Sequence, residues 1–193
     1  MQALGRRHPT APAGPGRPAL CEFEYRRGGT LVYLAAWDVH HARLFDRIEP
    51  KTGIEPFGRL VEQVMSAEPY ASAKTVFWVV DNGSSHAGRA SIKRLEGAYP
   101  NLRLIHLPIH ASWLNQIELY FSIVQRRALT PNDLGSLQEL AERLLAFGDH
   151  YRAVAEPFDW SITRADLNRV LDRVTDRLAP RSRANQSHLR AVA

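Results

Sequence analysis

The sequence predicts a single α/β domain in which apolar strands alternate with amphipathic helices. Two runs, Thr75–Val80 and Leu102–Leu107, are apolar and bounded by turn residues, which is typical of buried strands. Each is followed by a segment with apolar residues at helical spacing. The chain has 193 residues, of which 45% are apolar and 23% charged, so it is long enough to bury one core.

The other elements give the order strand, strand, helix, strand, helix, strand, helix. Thr30–Asp38 predicts the first strand, and Leu44–Ile48 is expected to pair with it through a turn at His40–Arg43. Amphipathic patterns predict helices at Glu55–Ala67, from about Ser85, after a cap at Ser112, at Ser136–Tyr151, and at Arg164–Leu178 after a cap at Thr163. This order predicts a sheet with helices packed against it.

Composition limits the class of protein. A net charge of +5 and a pI near 9.7 are compatible with a polyanionic partner such as nucleic acid. The single cysteine, Cys21, excludes an internal disulfide and suits a reducing cytosol. No apolar run approaches the roughly 18–20 residues that span a bilayer, and the N-terminus lacks a signal peptide's apolar region. We therefore expect a cytoplasmic protein that is not inserted in a membrane.

The two ends differ in composition from the middle of the chain. Residues 1–21 are rich in Pro, Gly, Ala and Arg, and we expect a poorly ordered connector there. Residues 179–193 form a basic tail that is expected to fray. Residues 22–178 are expected to hold the folded domain and its C-terminal helices.

Two carboxylates stand where a metal ion could use them. Asp81 follows a predicted strand, and open α/β sheets bind ligands at the carboxyl ends of their strands. Glu118 lies on a later helix that can point back at the same crevice. Such oxygen donors suit Mg²⁺ or Mn²⁺. Taken singly, Asp81 is better explained as a turn cap and Glu118 as part of a solvated helix face.

The residues around these acids carry a specific resemblance. The motif D-N-x-x-x-H begins at Asp81, and H-A-S-W-L-N-Q-I-E-x-x-F begins at His110. Together they resemble the DDE transposases of bacterial insertion sequences, in the mariner-like superfamily. The resemblance implies that Asp81 and Glu118 are the second and third acids of a catalytic triad. Their separation of 37 positions is close to that family's usual spacing.

The resemblance also implies a ribonuclease-H-like fold, a mixed sheet flanked by helices. Its first strand is central and carries the first catalytic aspartate. The segment Q-A-L-x-R at Gln2–Arg6 resembles the connector that follows this strand, so the strand is expected just before Met1 and is missing from this sequence. Without it, Thr30–Asp38 and Thr75–Val80 would keep unpaired edges.

Asp38 offers an alternative first acid because it too ends a predicted strand. A triad of Asp38, Asp81 and Glu118 would describe a different ribonuclease-H-like nuclease. The family register instead places Asp38 at the hairpin turn, away from the metal. A turn acid that accepts hydrogen bonds from local backbone amides is the favoured interpretation.

Other polar residues near the acids have two interpretations each. His86 could reach phosphate or a metal-bound water, or be a polar residue at a helix start. His110 and Asn115 could position DNA or satisfy loop carbonyls. Five basic residues could hold DNA phosphates, although a solvated basic face explains each one singly: Arg89, Lys93, Arg94, Arg126 and Arg127.

The resemblance implies DNA cleavage and strand transfer with two divalent ions about 3.5–4 Å apart. Two ions held only by Asp81 and Glu118 would have too few protein ligands. Two hypotheses remain: a transposase catalytic domain read from a late start codon, or an inactive remnant that keeps the domain's shape and some affinity for DNA. Both have DNA as the partner, and both are compatible with a homodimer.

Overall fold

The computed structural model describes residues 1–8, 11–20, 24–108, 114–131, 133–161, 163–166 and 168–169. Met1–Phe158 forms one compact unit and Asp159–Ala193 a second. In the second unit the Asp166 N–H donates to Thr163 Oγ1 (3.2 Å), and the Thr163 N–H donates to Asp166 Oδ2 (3.1 Å). This reciprocal pair is a capping box, as expected of a helix start at Thr163. Much of the predicted helix beyond it, and the tail 179–193, lie outside the described residues.

The elements of the first unit confirm the predicted order from the third strand onwards. They are β1 (Gln2–Arg6), β2 (Tyr25–Thr30), β3 (Val32–Asp38), β4 (Arg43–Glu49), α1 (Ile54–Met65), β5 (Val76–Val80), α2 (Gly88–Ala98), β6 (Leu102–His106), α3 (Ile117–Arg127) and α4 (Leu137–Val154). The predicted cap at Ser112 lies outside the described residues. No helix in the described part of the chain is long and apolar enough to cross a membrane.

The N-terminal segment differs from its prediction. Gln2–Arg6 forms a strand that pairs antiparallel with Tyr25–Thr30, where a poorly ordered connector was expected. The prolines of this segment begin only at position 9, so β1 keeps a full set of backbone donors. The predicted strand Thr30–Asp38 is also divided, because β2 ends at Thr30 and β3 begins at Val32.

The strands form three separate two-stranded sheets: β1–β2, β3–β4 and β5–β6. The first two are antiparallel, and β5 runs parallel to β6. Strands of both senses are present, but the expected single mixed sheet is not formed among the described residues. Each of β3 and β5 has one paired edge and one edge without a strand partner in the described chain.

Two apolar cores hold these sheets. In the first core, the inner faces of the β3–β4 hairpin, α3 and α4 pack around Tyr120, Val124, Leu140 and Leu144. In the second core, α1, α2, β5 and β6 pack around Val61, Trp78, Leu95 and Leu102. The hairpin contributes to both, since Tyr33 faces the first core while Leu34 and Phe45 pack against the second.

A buried ion pair fastens α4 to the hairpin. Asp46 of β4 has a side chain only 3% exposed, and it pairs with Arg152 of α4. Tyr33 donates its hydroxyl to Asp46 Oδ2 at 2.6 Å, and its oxygen lies 2.6 Å from the Tyr120 hydroxyl. Burial and these hydrogen bonds raise the pKa of Tyr33 well above its ordinary value. A Cβ at position 148 would overlap the Asp46 carboxylate, so a larger residue there would have to displace that buried side chain.

We expect Arg152→Ala to lower the free energy of unfolding by roughly 1–3 kcal/mol, because it leaves the buried Asp46 carboxylate without its charged partner. Urea unfolding followed by circular dichroism measures this change. The matched control is Arg143→Ala on the same helix, an exposed arginine whose removal should have little effect. Equal destabilisation of the two variants would show that the Asp46–Arg152 pair does not stabilise the fold.

Candidate active site

Asp81 stands at the carboxyl end of β5, beside the end of β6. The parallel register pairs Val80 with His106, so the two strands finish side by side. The Asn82 side chain donates to the Leu107 carbonyl at 2.9 Å and ties together the two loops that follow. The strand pairing therefore fixes the place of the Asp81 carboxylate.

Asp81 is held by a short turn that ends at His86. Asp81 Oδ1 accepts from His86 Nε2 (2.6 Å) and from the Gly83 N–H (2.9 Å). Burial opposes ionisation, but these hydrogen bonds prevail and lower the pKa of Asp81 below its ordinary value. A Cβ at Gly83 would lie 3.0 Å from Asp81 Oδ1 and from the His86 ring, so a larger residue there would press on both side chains.

His86 is itself fixed from several sides. The Ser85 hydroxyl lies 3.0 Å from His86 Nδ1, and the ring of Phe57 packs at a centroid distance of 4.6 Å. Because Nε2 donates to the Asp81 carboxylate, Nδ1 of a neutral ring is left to accept from Ser85. His106 Nε2 donates to the His86 carbonyl at 2.6 Å.

Ser85, Phe57 and His106 were not among the predicted site residues. His106 had a usable signal, since it ends an apolar run as Asp81 follows one, and parallel strands end at the same edge of a sheet. Ser85 and Phe57 had none, because their contacts with His86 depend on how the turn folds over α1.

Glu118 lies in the first turn of α3 and is exposed. Its N–H donates to the Asn115 carbonyl at 3.0 Å, and Asn115 Oδ1 accepts weakly from the Ile117 N–H at 3.5 Å. Asn115 therefore helps to start the helix, while the helix dipole favours an acid at this end.

One cavity of about 880 Å³ brings the predicted residues together. Its wall includes Asp81, His86, Asn115 and Glu118, and also Asp38. The two acids implied by the resemblance, with two of their three predicted supporting residues, thus border the same space. The third supporting residue, His110, lies outside the described residues.

The cavity runs along the open edges of β3 and β5. Consecutive residues of both strands line it, from Tyr33 to Val39 and from Thr75 to Asp81. Side chains of a strand alternate between its two faces, so a cavity bordered by every successive residue lies against the strand's edge. The space therefore separates two strand edges that face it without a strand between them in the described chain.

Asp38 occupies a different environment at the β3–β4 turn. Its carboxylate accepts from Tyr70 Oη (2.5 Å), His41 Nδ1 (2.8 Å) and the backbone N–H groups of His40 (2.9 Å) and His41 (3.1 Å). Burial alone would raise its pKa, but these hydrogen bonds outweigh it and lower the pKa to about 2. Its oxygens are occupied by the β3–β4 turn and by Tyr70.

The donor set does not fit a two-ion centre. Within the described residues, no three His, Cys, Asp or Glu side chains come together as a group that could hold a metal ion. Asp38, Asp81 and Glu118 border one cavity without forming such a group. Oδ1 of Asp81 is already bonded to His86 and Gly83, while two ions need carboxylates that bridge them.

The predicted basic residues divide into two kinds. Arg94 donates to the Ser85 carbonyl (3.1 Å) and more weakly to Ser91 Oγ (3.4 Å), so it supports the loop that carries His86. The other four are exposed on α2 and α3: Arg89, Lys93, Arg126 and Arg127.

The Asp38 contacts predict a specific pH dependence. Because the folded pKa of about 2 is below the ordinary 3.8, Asp38 stabilises the fold fully above pH 3.8, and this contribution declines as pH falls towards 2. Tyr70→Phe removes one hydrogen-bond donor to Asp38. It should therefore reduce the loss of unfolding free energy between pH 3.8 and pH 2, as measured by urea unfolding at these two pH values. Tyr99→Phe, which makes no hydrogen bond to Asp38, is the control. An unchanged decline in Tyr70→Phe would contradict the assignment.

Comparison with known proteins identifies the family of the chain. A sequence profile described as "DDE superfamily endonuclease" matches residues 2–141, well over half of the chain. No curated protein and no solved structure matches this chain. The matched region contains β1 to α3 and both acids at the cavity, Asp81 and Glu118. The chain belongs to the DDE superfamily endonuclease family.

Proposed function

We propose that this protein is the catalytic domain of a bacterial insertion-sequence transposase, which cleaves DNA strands and joins them to target DNA with the help of divalent metal ions. Family membership supports a nuclease or transposase type of activity with DNA as substrate. The observation that carries the proposal is that Asp81 and Glu118, from distant parts of the sequence, border one cavity. The motifs around them support transposition over other nuclease chemistry.

The proposal includes one more strand between β3 and β5. It is supported by the two open edges along the cavity, since backbone donors and acceptors that face a space without partners are costly to bury. A strand parallel to β5 would end next to Asp81. A carboxylate at that end would add the third acid that the described residues lack.

Within this site His86 has a positioning role. Its hydrogen bond to Oδ1 fixes the Asp81 carboxylate, and Oδ2 remains outside the bonds to His86 and Gly83. Glu118 is exposed on the cavity side of α3 and adds negative charge to the same space. With a third acid beside Asp81, these carboxylates would supply the oxygen ligands that Mg²⁺ or Mn²⁺ prefers.

A second candidate is an inactive relative that keeps the domain's shape and binds DNA without cutting it. The observation in its favour is that no group of three potential metal ligands forms among the described residues. The two candidates predict different results when a third acid is placed beside Asp81. The transposase domain should then gain activity, and the inactive relative should not.

The deciding experiment adds the strand. A β-branched segment as long as β3 and ending in Asp is fused before Met1, and nicking of supercoiled plasmid is measured with Mn²⁺ or Mg²⁺. We expect the extended chain to nick DNA, and we expect Asp81→Asn or Glu118→Gln to reduce the rate by about 10³-fold or more, because the acids act as a unit. An extension ending in Asn is the matched control and should be inactive.

Three results would contradict the transposase-domain proposal. One is nicking that survives either acid substitution, which indicates a contaminating nuclease. Another is equal nicking by the Asp-ended and Asn-ended extensions. The third is an Asp-ended extension that raises the thermal unfolding midpoint, and so has entered the fold, but gives neither nicking nor metal binding by calorimetry. That last result would favour the inactive relative.

A further inference from the structure

The described residues among the first thirty form a ribbon whose base packs against the rest of the unit and whose far end is exposed. β1 pairs with β2, and further along the chain Ala11 bridges Leu20 and Gly14 bridges Arg17, both antiparallel. At the base, Ala3 is fully buried. From Arg7 onwards, nearly every described residue of the ribbon is exposed, up to Gly28.

Contacts with the segment before α4 hold the base in place. The Leu134 N–H donates to the Leu4 carbonyl (3.0 Å), and the Arg6 N–H donates to Asp133 Oδ1 (2.9 Å). Close packing adds to this, because a Cβ at Gly28 would lie 3.0 Å from the Gly135 carbonyl oxygen. The ribbon is therefore anchored at one end by groups that leave its arginine side chains outward.

The ribbon's charge is strongly one-sided. Residues 1–30 contain two acids, Glu22 and Glu24, and Glu24 pairs with Arg7 at 2.9 Å. They include five arginines: Arg6, Arg7, Arg17, Arg26 and Arg27. Arg6 lies over the Tyr25 ring at 5.8 Å. Arg17, Arg26 and Arg27 are exposed and form no ion pair with any residue that the structure describes.

The ribbon presents its arginines on more than one side. The register places Arg26 opposite Gly5 and Arg27 opposite Leu4, so the two adjacent arginines leave opposite faces of the ribbon. One face is partly covered at this point, because a Cβ at Gly5 would lie 3.3 Å from Gly135 Cα. The exposed arginines are therefore suited to phosphates on the outside of a duplex, where backbone contacts supply most of the non-specific affinity. Guanidinium groups match phosphate geometry better than ammonium groups do.

We propose that this arginine ribbon is a DNA-binding arm, in which Arg17, Arg26 and Arg27, none of which lines the cavity, contact phosphates along a duplex. The inference rests on the proposed function, which makes DNA the substrate, and adds a second contact surface to it. The arm holds DNA without taking part in the chemistry.

The test compares two triple variants of the full chain that remove the same number of positive charges. The ribbon variant is Arg17→Gln, Arg26→Gln and Arg27→Gln. The control is Lys51→Gln, Lys74→Gln and Arg143→Gln, three exposed cations elsewhere that form no ion pair within the described chain. Fluorescence anisotropy with a short duplex of random sequence gives the affinity across a series of salt concentrations.

We expect the ribbon variant to bind about tenfold more weakly or worse. Its plot of log affinity against log salt concentration should be shallower by up to about 0.9 for each phosphate that is no longer neutralised. The control should stay close to the parent chain. Equal thermal unfolding midpoints for all three proteins, and partial recovery by the Arg→Lys triple variant, would show that charge and not folding is responsible.

Two results would overturn the inference, and they are distinguishable. If the parent chain binds DNA and the ribbon variant weakens no more than the control, the ribbon is not a DNA-binding arm, while the proposed function stands. If the parent chain binds no DNA at low salt, both the ribbon inference and DNA as a substrate of this chain fail.

Discussion

The hydrogen-bonding requirement of strand edges governs this structure. Each of β3 and β5 is paired on one side only, with β4 and β6 respectively, and both border the same cavity with successive residues. Pairing on one side fixes each strand's position and brings Asp81 to the end of β5. The open side creates the space that Asp81 and Glu118 share. The fold and the site thus depend on the same pairs of strands.

Two polar clusters hold the walls of that space rigid. Asp46 and Arg152 join α4 to the β3–β4 hairpin, where removal of either partner would leave a buried charge. On the other wall, the turn from Asp81 to His86 is closed by its own hydrogen bonds and by His106 of the neighbouring strand. Side chains at the cavity are therefore set by backbone pairing and short polar contacts, which favours a preorganised site.

Much of the fold could be predicted because it depends on local patterns. Helical spacing of apolar residues and β-branched runs gave the order from β3 to α4, and a strand-end acid pointed to Asp81. The strand β1 was not predicted, because the prolines that follow it dominate the composition of the segment although none interrupts Gln2–Arg6.

The polar contacts of the site were harder to predict. The hydrogen bond between Tyr70 and Asp38 joins residues 32 positions apart, and the Asp46–Arg152 pair joins residues 106 apart. No periodic pattern in the sequence indicates contacts between residues so far apart, since each contact depends on how separate elements pack. His86 was predicted because its motif keeps it within one turn of Asp81. Glu118 was predicted from its motif, while its place on the same cavity depended on the path of the whole chain.

The most direct test of this account is amide hydrogen exchange along β3 and β5, followed by NMR. The account predicts that alternate amides of each strand, those bonded to β4 and β6, exchange slowly, while the intervening amides along the cavity exchange fast. Slow exchange at every amide of both strands would mean that the two edges are already paired. The cavity between them, and with it the proposed strand and shared carboxylate site, would then be contradicted.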